Sequence, residues 1–272
     1  MLSLLALDVD GTLLTSDGEL SVRTRQALRD ADRAGWQVAL ITGRPLPYVL
    51  PVARKLGVGQ YVVAANGSTV AEIDTGAVLY QASISGELVR TALSAVRASL
   101  PAVCAAVTTA RAFETERGFD LLAPLSKFDA IVVKDATPLP EDVVHSVVLF
   151  ALGADASVLC SQIAALVPPG IDVSPSGLPG SVELTGPGVH KGSGVVRLCQ
   201  LLRIERQHVV AFGDGLNDHE MLMWAGHGVA MGNAAEETKA VADEVTANND
   251  RDGVAMVVER LLDGIGGPHA GS

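Results

Sequence analysis

Basic charge is the first thing this sequence lacks. Its 20 lysines and arginines face 31 aspartates and glutamates, a formal net charge of −11. Nucleic acids and anionic membrane surfaces need a basic footprint, so neither is expected as a partner. A small anionic substrate is still allowed, because a local cation and a few basic side chains can reverse the field inside one pocket. Aromatic residues are also scarce, at 4% against 48% hydrophobic overall, so the core must be built from Leu, Val, Ile and Ala. Cysteine is limited to Cys104, Cys160 and Cys199, with no CxxC spacing. That excludes a disulfide framework or a zinc site, and reduced thiols in a cytoplasmic protein are expected. No apolar run is long enough to span a bilayer. Met1 to Leu7 is apolar but has no basic leader and meets Asp8 too early for a signal peptide.

What is present alternates strand and helix signals. LSLLAL (Leu2 to Leu7), WQVALI (Trp36 to Ile41) and YVVAA (Tyr61 to Ala65) are short aliphatic runs of buried-strand type. Between them, Ser21 is placed to cap a helix ending before Gly35, and Pro45 opens a second that stops near Gly57. This order predicts a parallel sheet covered by helices on both faces. The C-terminal third repeats the pattern. Helices are expected over Lys191–Leu202, Asn217–Ala225 and Ala235–Val241, and another from Gly253; the strands are HVVAF, HGVAM and EVTA. The middle differs. Thr69 to Tyr80 reads as a hairpin turning at Asp74-Thr75-Gly76. From Ala82 to Thr185 come short strands, helices expected at Glu87–Ser99 and Glu141–Leu149, and several prolines, a texture of α+β type. The fold class is therefore α/β, a Rossmann-like parallel-sheet core over residues 1–81 and 186–272, with an α+β domain inserted over residues 82–185. The 272 residues suffice for two such units.

Ligands of open parallel sheets bind beyond the carboxyl ends of the strands. Four polar clusters fall there: Asp8-Val9-Asp10-Gly11-Thr12, Thr42-Gly43-Arg44, His190-Lys191-Gly192, and Gly213-Asp214-Gly215-Leu216-Asn217-Asp218. Asp8 and Asp10 project to the same side of an extended segment. Carboxylates at the mouth of a buried strand are costly unless they do chemistry or hold a cation. An Asx turn alone would explain either acidic loop, but not two on one sheet edge. The second loop lacks the oxygen series and terminal Glu of an EF-hand, and a few oxygens from separate loops suit Mg²⁺ better. Lys191 is followed by Gly192, not Ser or Thr, so this is no nucleotide P-loop. GDGLND likewise lacks the third glycine of a dinucleotide fingerprint. A lysine at a helix start opposes the helix dipole, a conflict that a bound anion would resolve.

In order, DVDGT, TGR, a lone lysine and GDGLND resemble the haloacid dehalogenase-like superfamily. The long insertion, with ANGS (Ala65 to Ser68) and MGNA (Met231 to Ala234), is similar to its Cof-type branch with a large cap. The resemblance implies hydrolysis of phosphate monoesters through an aspartyl-phosphate. Asp8 matches the nucleophile and Asp10 the acid/base. Mg²⁺ would be held by Asp8, the carbonyl of Asp10, and Asp214. Thr42, Gly43, Lys191 and Asn217 match phosphate-binding positions, and Asp218 would orient Lys191 or a metal-bound water. The expected enzyme is a Mg²⁺-dependent phosphatase of small phosphorylated metabolites, sugar phosphates first, acting as a monomer or small homo-oligomer. A phosphosugar mutase and a non-catalytic metabolite-binding module are the alternatives. Arg111, Arg117, Lys127, Lys134 and His145 are candidate polar contacts from the insertion.

Overall fold

A computed structural model describes residues 3–109, 113–119, 131–176 and 179–266; Arg111 and Lys127 lie outside the described residues. The chain opens with β1 (Ser3–Asp8), α1 (Val22–Arg33), β2 (Trp36–Ile41), α2 (Leu46–Leu56), β3 (Tyr61–Ala64), β4 (Thr69–Glu72) and β5 (Val78–Gln81). A second run follows: β6 (Ile84–Ser85), α3 (Gly86–Ser99), β7 (Cys104–Thr109), β8 (Phe113–Glu116), β9 (Ile131–Val133), β10 (Val143–Phe150), α4 (Ala156–Ala164), β11 (Asp172–Pro175) and β12 (Ser181–Thr185). The last third adds α5 (Lys191–Leu202), β13 (Val209–Gly213), α6 (His219–Trp224), β14 (His227–Ala230), α7 (Glu236–Ala240), β15 (Glu244–Val245) and α8 (Gly253–Gly266).

The first and last runs share one sheet, in the order β15-β14-β13-β1-β2-β3-β4-β5. It is parallel from β15 to β3, then antiparallel through β4 and β5. Both faces are buried, which is why its strands read as unbroken aliphatic runs. Leu5, Leu7, Val38, Leu40, Val62, Val210 and Phe212 pack on one side with Leu28 of α1, Val49 of α2 and Val254 of α8. Leu4, Ala6, Ala39, Ile41, Val63 and Ala211 pack on the other with Val195 of α5 and Met221 of α6. Local signals delimit the helices as their physics requires. The Ser21 hydroxyl accepts from the Thr24 N–H at the start of α1, and Gly57 ends α2 in the left-handed region.

The middle run forms a second sheet, β11-β12-β10-β7-β8-β9, with β6 also paired to β10. One face carries Ala105, Val107, Val147, Leu149, Val182 and Leu184 against α3 and α4. By alternation, Thr108, Ser146, Ser181, Glu183 and Thr185 lie on the opposite face. The helix expected at Glu141–Leu149 is instead the strand β10. Valines at 143, 144, 147 and 148 imitate helical spacing, but β-branched residues favour a strand, and β10 is hydrogen-bonded to β7 and β12. The two passages between the sheets run side by side: a Cβ on Gly186 would sit 3.5 Å from the Ser83 carbonyl oxygen.

Candidate active site

The C-terminal ends of the parallel strands converge on one cluster. Asp8 is the last residue of β1, Thr42 follows β2, and Asp214 follows β13. Lys191 enters from the first turn of α5, where it extends to both neighbouring loops. Its Nζ donates to Asp8 Oδ1 at 2.6 Å and to Asp218 Oδ1 at 2.7 Å, with all three side chains 6% exposed or less. Those two carboxylates answer the cation that would otherwise oppose the helix dipole. Asp218 Oδ2 accepts from the backbone N–H groups of Asp214 and Gly215, at 3.0 and 2.9 Å. Asp218 is thus committed to holding its own loop and Lys191.

Asp214 accepts from the Thr12 hydroxyl at 2.9 Å, which ties the second acidic loop to the first. Between Asp10 and Thr12 the chain turns at Gly11 with φ of +85°, and a Cβ there would strike the Asp214 carboxylate, so only glycine fits. Asn233 Nδ2 donates to the Gly11 carbonyl at 2.8 Å, adding the loop after β14.

The electrostatics are unbalanced. Burial pushes the Asp8 carboxyl well above the usual carboxylate range; Lys191 pulls it down, and Asp218 and Asp214 push it further up. Burial also raises Asp214, partly offset by Thr12. For Lys191, burial works against the charge, but Asp218 and Asp8 outweigh it and hold the ammonium protonated. Oxygens of Asp8, Asp214 and Asp218 all lie within 4.8 Å of one another. Three carboxylates against one ammonium leave two negative charges in excess. Hard oxygen donors with that excess fit a divalent cation.

Asp10 sits outside this cluster. Its side chain is 56% exposed, and Arg44 grips both oxygens, from Nε at 2.9 Å and from Nη2 at 2.5 Å. The Thr42 hydroxyl is buried and accepts from the Arg44 N–H at 3.1 Å. Gly43 lies beneath the Asn66 carboxamide, 3.1 Å from where a Cβ would be. Asn217 Nδ2 donates to Asn66 Oδ1 at 3.0 Å. Gly43 and Asn217 are thus joined through Asn66, while Lys191 is the one of the four bonded to Asp8.

Sequence reasoning gave no role to Arg44, Asn66, Asn233 or Glu183. Arg44, Asn66 and Asn233 stand inside the short motifs TGR, ANGS and MGNA, which held the available signal. Glu183 of β12 is wholly buried and accepts from Asn66 Nδ2, so the second sheet reaches the site. Tyr48 of α2 and Phe113 of β8 also meet across the two sheets, edge to face, with ring centroids 5.1 Å apart. Among the insertion's basic candidates, Arg117, Lys134 and His145 are described. Of these, His145 is buried and its Nδ1 has no hydrogen-bond partner.

Comparison with known proteins identifies the family and the fold. A family model for haloacid dehalogenase-like hydrolases matches residues 5–258. Phosphatase YwpJ of Bacillus subtilis (strain 168) is 30% identical, over 96% of this chain and 100% of its own. A phosphoglycolate phosphatase of Halorubrum lacusprofundi is 32% identical, over 94% of this chain and 96% of its own. A solved haloacid dehalogenase-like hydrolase from B. subtilis superposes with a TM-score of 0.81 at 28% identity, covering 96% of this chain and 100% of that one. The subclass IIB sugar phosphatase BT4131 shares the fold, with a TM-score of 0.82 at 24% identity over 96% and 99% of the two chains.

Proposed function

The chain belongs to the haloacid dehalogenase-like hydrolase family, and on that premise we propose that it is a Mg²⁺-dependent phosphatase of small phosphorylated metabolites, sugar phosphates foremost. The observation that carries this reading is the buried Asp8 carboxylate at the end of β1, bonded to Lys191 and within 4.8 Å of further acid oxygens. The names of the relatives support it: YwpJ is a phosphatase, and BT4131 a sugar phosphatase.

In this reading Asp8 attacks phosphorus and becomes an aspartyl-phosphate, while Asp10 gives a proton to the departing alkoxide. Asp10 then takes a proton from the water that attacks the same phosphorus, and inorganic phosphate leaves. Asp10 must exchange one Arg44 contact for the leaving oxygen to do this. The Thr42 hydroxyl, the Gly43 N–H, Lys191 and the Asn217 amide hold the phosphoryl oxygens. A carboxylate at ~4 Å from a dianion meets a repulsion of roughly 8 kcal/mol at an effective dielectric near 20, or about six decades in rate. Lys191 alone does not cancel that. Mg²⁺, held by Asp8, Asp214 and the carbonyl of Asp10, would supply the remaining positive charge. Residues 1–81 and 186–272 are the catalytic core, and residues 82–185 a cap that excludes water and selects the leaving group. The enzyme works in the cytoplasm on soluble metabolites, as a monomer or small homo-oligomer, without nucleic acid or membrane.

The test is phosphate release from p-nitrophenyl phosphate and a panel of phosphorylated metabolites. Release should vanish after EDTA, return with Mg²⁺, and be lost in Asp8→Asn, with folding retained. Undiminished release from Asp8→Asn, or none from wild type, would overturn the reading. An isomerised phosphosugar in place of free phosphate would make the enzyme a mutase.

A further inference from the structure

The second sheet places one ionisable group against the site that the proposed chemistry does not use. Glu183 is completely buried on β12. Its Oε2 accepts from Asn66 Nδ2, and its Oε1 has no hydrogen-bond partner. Asn66 Oδ1 in turn accepts from Asn217 Nδ2 at 3.0 Å. Three polar side chains from three separate loops and strands thus stand in series. Asn66 is held there under strain: it and Ala65 both take φ of +46°, a region that residues with a Cβ rarely adopt. Such strain persists where surrounding structure over-determines it, and it concentrates at functional positions.

The series has a definite donor sense. An ionised carboxylate can only accept, so Asn66 must turn its NH₂ toward Glu183 and its oxygen toward Asn217. Asn217 must then offer its own NH₂ to Asn66, and the second N–H of that amide remains available to an anion. Reverse the first link and every later one reverses. A protonated Glu183 can donate to the Asn66 oxygen. The Asn66 NH₂ would then face Asn217, which would have to present oxygen to it.

We propose that Glu183 is a positioning residue: through Asn66 it fixes the Asn217 amide with an N–H toward the phosphate, so that the second sheet sets the donor character of the phosphate pocket. The proposal rests on the phosphatase reading only for Asn217's part in holding phosphate. Burial is the dominant influence on the Glu183 carboxyl and pushes it up to about 7, against the pull of Asn66, Ser146 and Lys191. Lys191 is the charged group that acts on it. Its register partners, Val148 of β10 and Ser174 of β11, do not ionise, nor does Ser146 on the same face. Further along the same strands, Asp172 is bonded to the Gly188 N–H, and His145 bears on the backbone of Ala82.

The test follows the side-chain amide resonances of Asn66 and Asn217 by ¹H–¹⁵N NMR, assigned with Asn66→Asp and Asn217→Asp. In wild type both should move with a common midpoint near pH 7, and in Glu183→Gln both should be flat. Glu183→Leu, which cannot accept at all, should weaken inhibition by inorganic phosphate about tenfold, as for one lost hydrogen bond, without lowering Tm. Resonances that titrate identically in Glu183→Gln, or wild-type phosphate affinity in Glu183→Leu, would overturn the relay. The two readings fail separately. A wild type that releases no phosphate yet shows the coupled titration sinks the phosphatase and leaves the relay. An active wild type with independent resonances does the reverse.

Discussion

A single buried carboxyl makes a prediction about stability as well as chemistry. Glu183 is raised from its ordinary 4.5 to about 7, so the folded state prefers it protonated. For an acid shifted upward, no penalty exists below the unfolded value; the cost builds as pH rises from there to the folded value and is constant above it. Glu183→Gln should match wild type in stability near pH 4 and exceed it by roughly 3 kcal/mol at pH 8, as read from urea denaturation. Equal stability at both pH values would contradict this burial account. At this scale the sequence was uneven in what it showed. The cluster of Asp8, Lys191, Asp214 and Asp218 is legible because charge beside an aliphatic strand demands a reason, whereas Asp10 lies outside it with Arg44. Glu183 is not, since Ser-Val-Glu-Leu-Thr alternates like any strand with one face in water. Only tertiary packing reveals that the polar face lies under Asn66.

Helix ends join distant parts of the chain, and one of them can be tested alone. Ser21 caps α1 by accepting from the Thr24 N–H at 3.0 Å, and its hydroxyl donates to Asp252 just before α8 at 2.5 Å. Ser21→Ala should cost about 1–2 kcal/mol, visible as a lower urea midpoint, with activity at low denaturant unchanged. This cap, the Gly57 stop of α2 and the strands of the first sheet follow from local sequence, because capping and aliphatic runs are local physics. The strand β10 does not, because its valines recur at helical spacing and only its pairing on both edges makes it a strand. The helix α4 was also missed, although Asp155 caps it by accepting from the N–H groups of Ser157 and Val158.

Over the whole molecule the acids outnumber the bases, and buried carboxylates gather where Asp8, Asp214 and Asp218 meet. A divalent cation bound there only in the folded state must stabilise the fold by mass action, by about 2.7 kcal/mol at a hundredfold excess over Kd. Mg²⁺ should therefore raise Tm by roughly 5 °C or more, and Asp214→Asn should blunt the rise. An unchanged Tm in wild type would count against a metal at this cluster. Among the described residues no helix is long and apolar enough to cross a membrane. The fold class was legible as a whole because a parallel sheet buried on both faces leaves unbroken aliphatic strands. The meeting of the two sheets was not, since Tyr48 and Phe113, or Asn66 and Glu183, are far apart in sequence. The side-by-side passages at Ser83 and Gly186 carry one more consequence. Only two adjacent lengths of chain tie the second sheet covalently to the first, so the side-chain contacts, not the covalent links, fix how the sheets sit together. Loss of the Glu183–Asn66 contact would loosen that seating and, on the proposed function, leave the phosphate pocket without its outer support.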